Sequence, residues 1–392
     1  MHAAFLLSLV LPLVAAAPAR RATPAPLLRP RGDAPIIEGK YIVKMADKVG
    51  IAAVDEAMTQ FQADAEHVYN APGFKGFSGA LSPEELENLR NNPDVEFIEH
   101  DAEVNAYAYV TQTGATWGIT RVSHRSRTAT GYTYDSSAGE GTCSYIIDTG
   151  IETSHPEFEG RATHLVNYAN DNTSVDGSGH GTHVAGTVGS KTYGVAKKTK
   201  LYAVRVLNAS GSGTNSGVIA GMNYVATDSK TRSCPKGSVA NMSLGGGFSQ
   251  AVNDAAAALT NAGVFLAVAA GNSNANASTF SPASAPSACT VGATTSADVK
   301  SSFSNYGALV DILAPGTSIT STWKGGATNS ISGTSMASPH IAGLAAYLLT
   351  LEGARTPDAL CSRLKSIATT GAITGFPSGT TSALGFNGNP SG

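Results

Sequence analysis

Four blocks of this chain carry side chains suited to one kind of chemistry. Gly333-Thr334-Ser335-Met336-Ala337-Ser338-Pro339-His340 sets Ser335 on the threshold of a long apolar run that reads as a helix. Gly179-His180-Gly181-Thr182-His183 sets an imidazole between two glycines, so little side-chain bulk stands beside it. Ile146-Ile147-Asp148-Thr149-Gly150 ends an apolar run on a carboxylate, and Ala269-Ala270-Gly271-Asn272 ends another on an amide. A hydroxyl, an imidazole and a carboxylate on three separate elements are the parts of a nucleophile, a general base and its orienter, the machinery of acyl transfer. The amide of Asn272 and the N–H groups at a helix start would supply donors for the oxyanion that such a reaction develops.

Each of these residues has a plainer reading by itself. Ser335 alone is an N-cap, Asp148 a cap or turn residue, Asn272 a turn residue after glycine. Taken together they gain force. A carboxylate at the end of a buried strand needs a partner, and a histidine that takes it through one ring nitrogen satisfies both groups and fixes its own tautomer. His183 reads as a packed, hydrogen-bonded histidine, because no HExxH pattern or third ligand follows it. Asp135, Asp171 and Asp176 sit in polar loops and are poorer orienters. An esterase would need a Gly-x-Ser-x-Gly elbow and the order Ser, Asp, His; Ser335 has neither.

The elements that must position these groups alternate along residues 143–367. Strands are expected at Cys143–Asp148, Lys200–Val206, Val239–Leu244 and Val264–Ala270. Helices are expected at His180–Val188, Ser216–Thr227, Gln250–Ala262, Ser335–Leu351 and Thr356–Ile367. Nearly all-apolar strands alternating with helices predict an α/β fold, a mostly parallel sheet covered on both faces, with its site beyond the carboxyl ends of strands. A smaller α/β module precedes it: strands at Gly39–Met45, Phe74–Phe77 and Val95–His100, a helix over Ile51–Tyr69, and a helix capped by Ser82 with Pro83, Glu84 and Glu85 in its first turn.

Composition narrows the class. The 392 residues are 42% apolar and 14% charged, a globular balance that disfavours a nucleic-acid partner. The net charge of −3 is split: residues 1–105 hold 15 acidic and 9 basic side chains (−6), residues 106–392 hold 14 and 17 (+3), a split that fits either two mutually attracting partners or ordinary solvated surface. Met1-His2, an apolar run to Val14 and Ala15-Ala16-Ala17 read as a secretory signal peptide, and no later run reaches membrane-spanning length. Residues 18–37, with five prolines, read as a disordered linker. Four cysteines in an exported chain predict disulfides, for which the sequence allows three pairings.

The blocks around Asp148, His180 and Ser335, in that order, resemble the subtilisin-like serine proteases, and most closely the proteinase K branch of secreted fungal enzymes. The similarity runs from about Thr111 to Phe386; Ile36–Val104 resembles the inhibitory propeptide of the same family. The resemblance implies a secreted, monomeric endopeptidase of subtilisin-like fold, made as a zymogen behind a ferredoxin-like propeptide that acts as its inhibitor. The implied divisions are a leader (1–17), the linker (18–37), the propeptide (38–107) and the catalytic domain (108–392). It carries over Asp148, His180 and Ser335 as the triad and Asn272 as the oxyanion donor. Ser210, Gly211, Ser212 and Gly213 match the edge that pairs with an extended peptide. Ser243, Leu244 and Gly245, with Ala269, Ala270 and Gly271, match the primary pocket, from which broad cleavage after apolar or aromatic residues is expected. The tail Val104–Val110 is expected to lie product-like in the cleft, with the mature start between Ala106 and Thr111. The implied disulfides are Cys143–Cys234 and Cys289–Cys361; Val184 stands where relatives have a free cysteine. One structural calcium is implied at Asp311 with the carbonyls of Pro286 and Ala288, while Ala372 replaces the aspartate of a second site. The glycosylation candidates are Asn172, Asn208 and Asn276; Asn241 also lies in a sequon but falls within a strand. Proteins and peptides are the implied partners, with neither nucleic acid nor membrane.

Overall fold

The structure, a computed structural model, describes residues 23–30, 36–60, 65–102 and 109–392. The expected leader lies outside these residues, as does most of the charge-free tail. The chain divides into two compact units, residues 1–105 and 106–392.

The front unit is built from β1 (Leu27–Leu28), β2 (Ile36–Met45), α1 (Ile51–Gln60), β3 (Ala65–Ala71), β4 (Phe74–Ala80), α2 (Pro83–Arg90) and β5 (Val95–Ala102). The sheet order β1-β5-β2-β4-β3 places the βαββαβ core in the ferredoxin-like arrangement. Val43, Phe77 and Ile98 of the sheet and Leu89 of α2 are fully buried in its core. Ser82 and Glu85 form a capping box at the start of α2, with Glu85 N–H donating to Ser82 Oγ and Ser82 N–H to Glu85 Oε2.

Two expectations for this unit are corrected. The helix read over Ile51–Tyr69 ends at Gln60, and Ala65–Ala71 is instead a strand, paired Val68 to Phe77 and Tyr69 to Gly76. Pro72-Gly73, with Gly73 at φ +81°, closes a two-residue hairpin that overrides the apolar spacing. Part of the expected disordered linker is ordered: Leu27 and Leu28 add an edge strand parallel to β5, and Ala25 is completely buried. Ala25 N–H donates to Arg90 O, and Pro26 O accepts from Ile98 N–H. Proline is tolerated there because an edge strand needs donors on one side only.

The second unit starts with β6 (Tyr109–Gln112), α3 (Trp117–Ser123) and β7 (Tyr132–Asp135), β6 and β7 pairing antiparallel. Its main sheet uses β8 (Cys143–Asp148), β9 (Ala162–Asn167), β10 (Lys200–Arg205), β11 (Ser238–Met242), β13 (Phe265–Ala269), β15 (Cys289–Thr294) and β16 (Ile312–Pro315). Short strands β12 (Gly246–Gly247) and β14 (Phe280–Ser281) pair with each other, as do β17 (Ile319–Trp323) and β18 (Ala327–Ile331). The helices are α4 (His180–Gly189), α5 (Asn215–Asp228), α6 (Gln250–Asn261), α7 (Thr334–Glu352) and α8 (Pro357–Ile367).

The seven main strands run parallel in the order β16-β15-β13-β11-β8-β10-β9. Successive residues of β8 feed opposite cores. Ile146 joins α4, α7 and α8 on one face; Tyr145 and Ile147 join α5 and α6 on the other. Each buried side chain of this kind contributes about 1.5–3 kcal/mol, and two cores explain why the strands are apolar throughout. The strand order turns at β8, because β10 lies on one side of it and β11 on the other. Asp148 therefore ends its strand at the switch point where α/β folds open a crevice.

Candidate active site

Asp148, at the end of β8, has no exposed surface, and its Oδ1 accepts from Thr149 N–H at 2.7 Å. His180 is the first residue of α4. A Cβ on Gly181 would sit 2.1 Å from Gly150 O, so only glycine lets the helix start come this close to the end of β8. That approach brings His180 Nδ1 to 2.8 Å from Asp148 Oδ1. Burial pulls the imidazole pKa down, but the charge and hydrogen bond of Asp148 and the charge of Asp176 outweigh it and leave it raised above the ordinary 6.5.

Ser335 is the second residue of α7, at a helix start whose N–H groups lack partners within the helix. Its Oγ donates to Ser243 O at 3.1 Å, and its own carbonyl accepts from Ser243 Oγ at 2.7 Å. Asn272 Oδ1 accepts from Thr334 N–H at 2.8 Å and Thr334 Oγ1 at 2.9 Å, which leaves its NH2 to face outward. Ser335 N and Asn272 Nδ2 each lie 3.6 Å from the point that a Cβ on Gly333 would occupy, so the two donors flank one small space.

Two cavities share the wall Leu244–Gly246. The first, about 580 Å³, holds His180, Ser210–Gly213 and Ser243. The second, about 250 Å³, holds Ser335, Asn272 and Ala269–Gly271, and no charged side chain lines it. His183 is buried, with Nε2 bonded to Ile319 O at 2.9 Å and its pKa pulled to about 4 by burial. Both disulfides are those expected, Cys143–Cys234 and Cys289–Cys361, with Cα atoms 5.5 and 5.9 Å apart. Val184 is buried in the core. Asn241 is also buried and bonded to Ser243 and Ser338, whereas Asn172 and Asn276 are exposed and Asn208 is half-buried, bonded to Ser210 and Ser212 N–H.

Asp311 Oδ2 accepts from Thr290 N–H at 3.0 Å, and Oδ1 stands 3.1 Å from Lys365 Nζ. A carboxylate and two carbonyls are the oxygen donors a hard divalent cation takes, so Asp311, Pro286 and Ala288 fit calcium in kind. The Lys365 ammonium stands on the same carboxylate as a competing cation. Cys289 and Cys361 lie beside Asp311, but their sulfurs are joined to each other and offer no thiolate.

The polarity of its neighbours hid one residue from the sequence reading. Asp176, in a polar loop and read only as a poorer orienter, is 1% exposed. It accepts from Thr149 Oγ1, Ser178 N–H, Gly179 N–H and both donors of Thr182, so it ties the end of β8 to the start of α4.

The subtilase family profile matches residues 139–386, across the whole of this arrangement. The chain is a subtilase. A second profile, peptidase inhibitor I9, matches residues 40–107, which take in most of the front unit. The subtilase is 61% identical over 383 residues to the subtilisin-like serine protease AsES of Sarocladium strictum, covering 98% of each chain. It is 59% identical to a cuticle-degrading protease of Metarhizium anisopliae, covering 99% of this chain and all of that one. To proteinase R of Parengyodontium album it is 52% identical, covering 99% of both. Among solved structures, a cold-adapted subtilisin-like serine proteinase matches with a TM-score of 0.67 and 46% identity, over 70% of this chain and 99% of that one. The subtilase is a serine endopeptidase of the proteinase K type, made with an I9 propeptide. No helix among its described residues is long and apolar enough to cross a membrane.

Proposed function

We propose that this endopeptidase cuts proteins with broad specificity after apolar or aromatic residues, using Asp148, His180 and Ser335 as its triad and Asn272 as its oxyanion donor. The observation that carries the reading is the pair of donors, Ser335 N–H and Asn272 Nδ2, flanking one space beside the nucleophile. Ser335 Oγ, now resting on Ser243 O, swings to His180 Nε2, which takes its proton as the hydroxyl attacks the scissile carbonyl. Asp148 holds the imidazole through Nδ1 and stabilises it once charged. The oxyanion takes both donors, and a side-chain donor of this kind is worth about 3 kcal/mol in the transition state. His180 protonates the leaving amine, and water then releases the acyl-enzyme.

Ser210–Gly213 and Ser243–Gly245 offer backbone to an extended peptide, the geometry of strand addition, in which only pockets read side chains. The uncharged second cavity supports an apolar or aromatic residue before the cut. Calcium would bind Asp311 with the carbonyls of Pro286 and Ala288 and tie the start of β15 to the start of β16. Secretion, glycan attachment at Asn172, Asn208 or Asn276, and release by cleavage between Ala106 and Thr111 belong to the same reading.

The test is casein hydrolysis by the matured enzyme and by Ser335→Ala, with cleavage sites mapped in a mixed peptide library. Wild type is expected to clear casein and cut after apolar and aromatic residues, and Ser335→Ala to do neither. Activity in Ser335→Ala would remove the nucleophile assignment, and cuts confined to Lys or Arg would overturn the pocket reading.

A further inference from the structure

Arg205 is the largest side chain with no exposed surface among the described residues. It ends β10 in register with Asp148 on β8. A guanidinium there is costly, because desolvating a charge takes several kcal/mol even when it is paired. An apolar side chain would fill the same space without that cost, so the function of the charge must be sought in what it binds.

The guanidinium holds two separate segments. Nη1 donates to Thr149 O and, at 3.1 Å, to Val175 O. Nε and Nη2 take the two oxygens of Asp171 as a fork, with Nε at 3.2 Å, and that hydrogen bonding drops the Asp171 carboxyl to about 2. Thr149 is the residue after Asp148. Its N–H donates to Asp148 Oδ1, and its Oγ1 donates to Asp176 and accepts from Gly181 N–H at 2.9 Å. Asp171 and Val175 lie in the loop that leads through Asp176 into Gly179 and His180. A planar fork with several fixed donors can span both segments at once, and a lysine point charge cannot.

We infer that Arg205 is a positioning residue of the endopeptidase: with Asp171 it clamps the segment after Asp148 to the loop entering His180 and so fixes the geometry between those two side chains. The inference rests on the reading of Asp148 and His180 as catalytic. It assigns Arg205 no contact with substrate. The guanidinium acts through the peptide of Thr149 on one side and the loop at 171–175 on the other.

The test uses full-length chains carrying Arg205→Met, Arg205→Lys, Asp171→Asn or Ser335→Ala, matured by a trace of tagged wild-type enzyme that is then removed. Active sites are counted with a serine-directed fluorophosphonate, and kcat and KM are measured per titrated site on a peptide p-nitroanilide. Arg205→Met is expected to lose on the order of 10- to 100-fold in kcat, the scale of a small misplacement of reacting groups, with KM within about threefold. Arg205→Lys recovers part of the loss, and Asp171→Asn falls between Arg205→Lys and wild type. A purely structural role would lower the yield of titratable sites and leave kcat per site unchanged. An Arg205→Met enzyme with kcat per site within twofold of wild type overturns the inference. If that variant yields no folded enzyme, Asp171→Asn decides in the same way, since it keeps the arginine and frees only the loop. An active Ser335→Ala would instead sink the underlying assignment of the nucleophile.

Discussion

Replacing Asn272 separates two functions that its amide performs at once. Oδ1 accepts from Thr334 N–H and Oγ1, which anchors the start of α7. Nδ2 and Ser335 N each lie 3.6 Å from the point that a Cβ on Gly333 would occupy. Asn272→Ala removes both functions. Losing one oxyanion donor costs about 2.7–4 kcal/mol, or 10²–10³ in kcat, with little change in KM, because the bond strengthens only in the transition state. The orphaned Thr334 N–H costs further stability, but Asn272 is exposed and water can replace it, so about 1 kcal/mol is expected. In a unit of this size that is a fall of about 2 °C in Tm. Asn272→Asp divides the two effects. It keeps the acceptor for Thr334 and so the Tm, yet turns a donor into a negative charge toward the oxyanion, and kcat falls at least as far as in the alanine variant. The assay is p-nitroanilide hydrolysis per titrated site, with Tm from calorimetry. An Asn272→Asp enzyme with kcat within threefold of wild type would falsify the oxyanion assignment, as would losses confined to KM.

The charges of Asp148 and, to a smaller extent, Asp176 set a pH dependence. The groups facing His180 are Asp148 and Asp176, which raise its pKa, and His183, a neighbour held neutral by burial. Catalysis needs neutral imidazole, so the acid limb of kcat/KM in the wild type should lie above pH 6.5. Asp176→Asn withdraws a raising charge, so the limb should move to lower pH; a folded variant with an unmoved limb would show that Asp176 acts through packing alone. Removing the ammonium from Asp311 tests the calcium reading. Lys365→Ala should bind calcium about five- to tenfold more tightly by titration calorimetry, which corresponds to about 1 kcal/mol of relieved repulsion near the surface, and should melt lower than wild type once calcium is chelated. Identical calcium responses in the two proteins would remove Lys365 from that site.

The strands and helices bearing Asp148, His180, Ser335 and Asn272 were legible in the sequence because local signals agree there. Apolar runs end on polar groups, and glycines flank the histidine. Front-unit residues 65–71 were not, since Val68 and Tyr69 continue a helical spacing that only the Pro72-Gly73 turn and pairing with β4 overrule. Strand β15 escaped notice because Cys289–Thr294 mixes small and polar residues with few large apolar ones, and β16 because Ile312–Pro315 has only four residues and ends on proline. Asp176 and Arg205 share one reason for being missed. Their partners mix side chains and backbone from several stretches (Asp171, Thr149 O and Val175 O for Arg205; Thr149, Ser178, Gly179 and Thr182 for Asp176), and no single local pattern announces such a set. Ser335 shows how little one residue says by itself: a helix-start serine alone is a cap, and it is the company of the Asp148, His180 and Asn272 blocks that makes it the nucleophile candidate.

The edge strand β1 sets a timetable for biosynthesis. Leu27 must wait for Ile98 before it can pair, so the front sheet closes only when residues 95–102 have left the ribosome. At that moment Asp148, His180 and Ser335 have yet to be translated. Domains generally fold N-terminal first during synthesis, so the I9 unit has its whole sequence in place before Asp148, His180 and Ser335 are made. Chain direction alone therefore puts the inhibitor's synthesis ahead of the peptidase it precedes, with no separate timing signal.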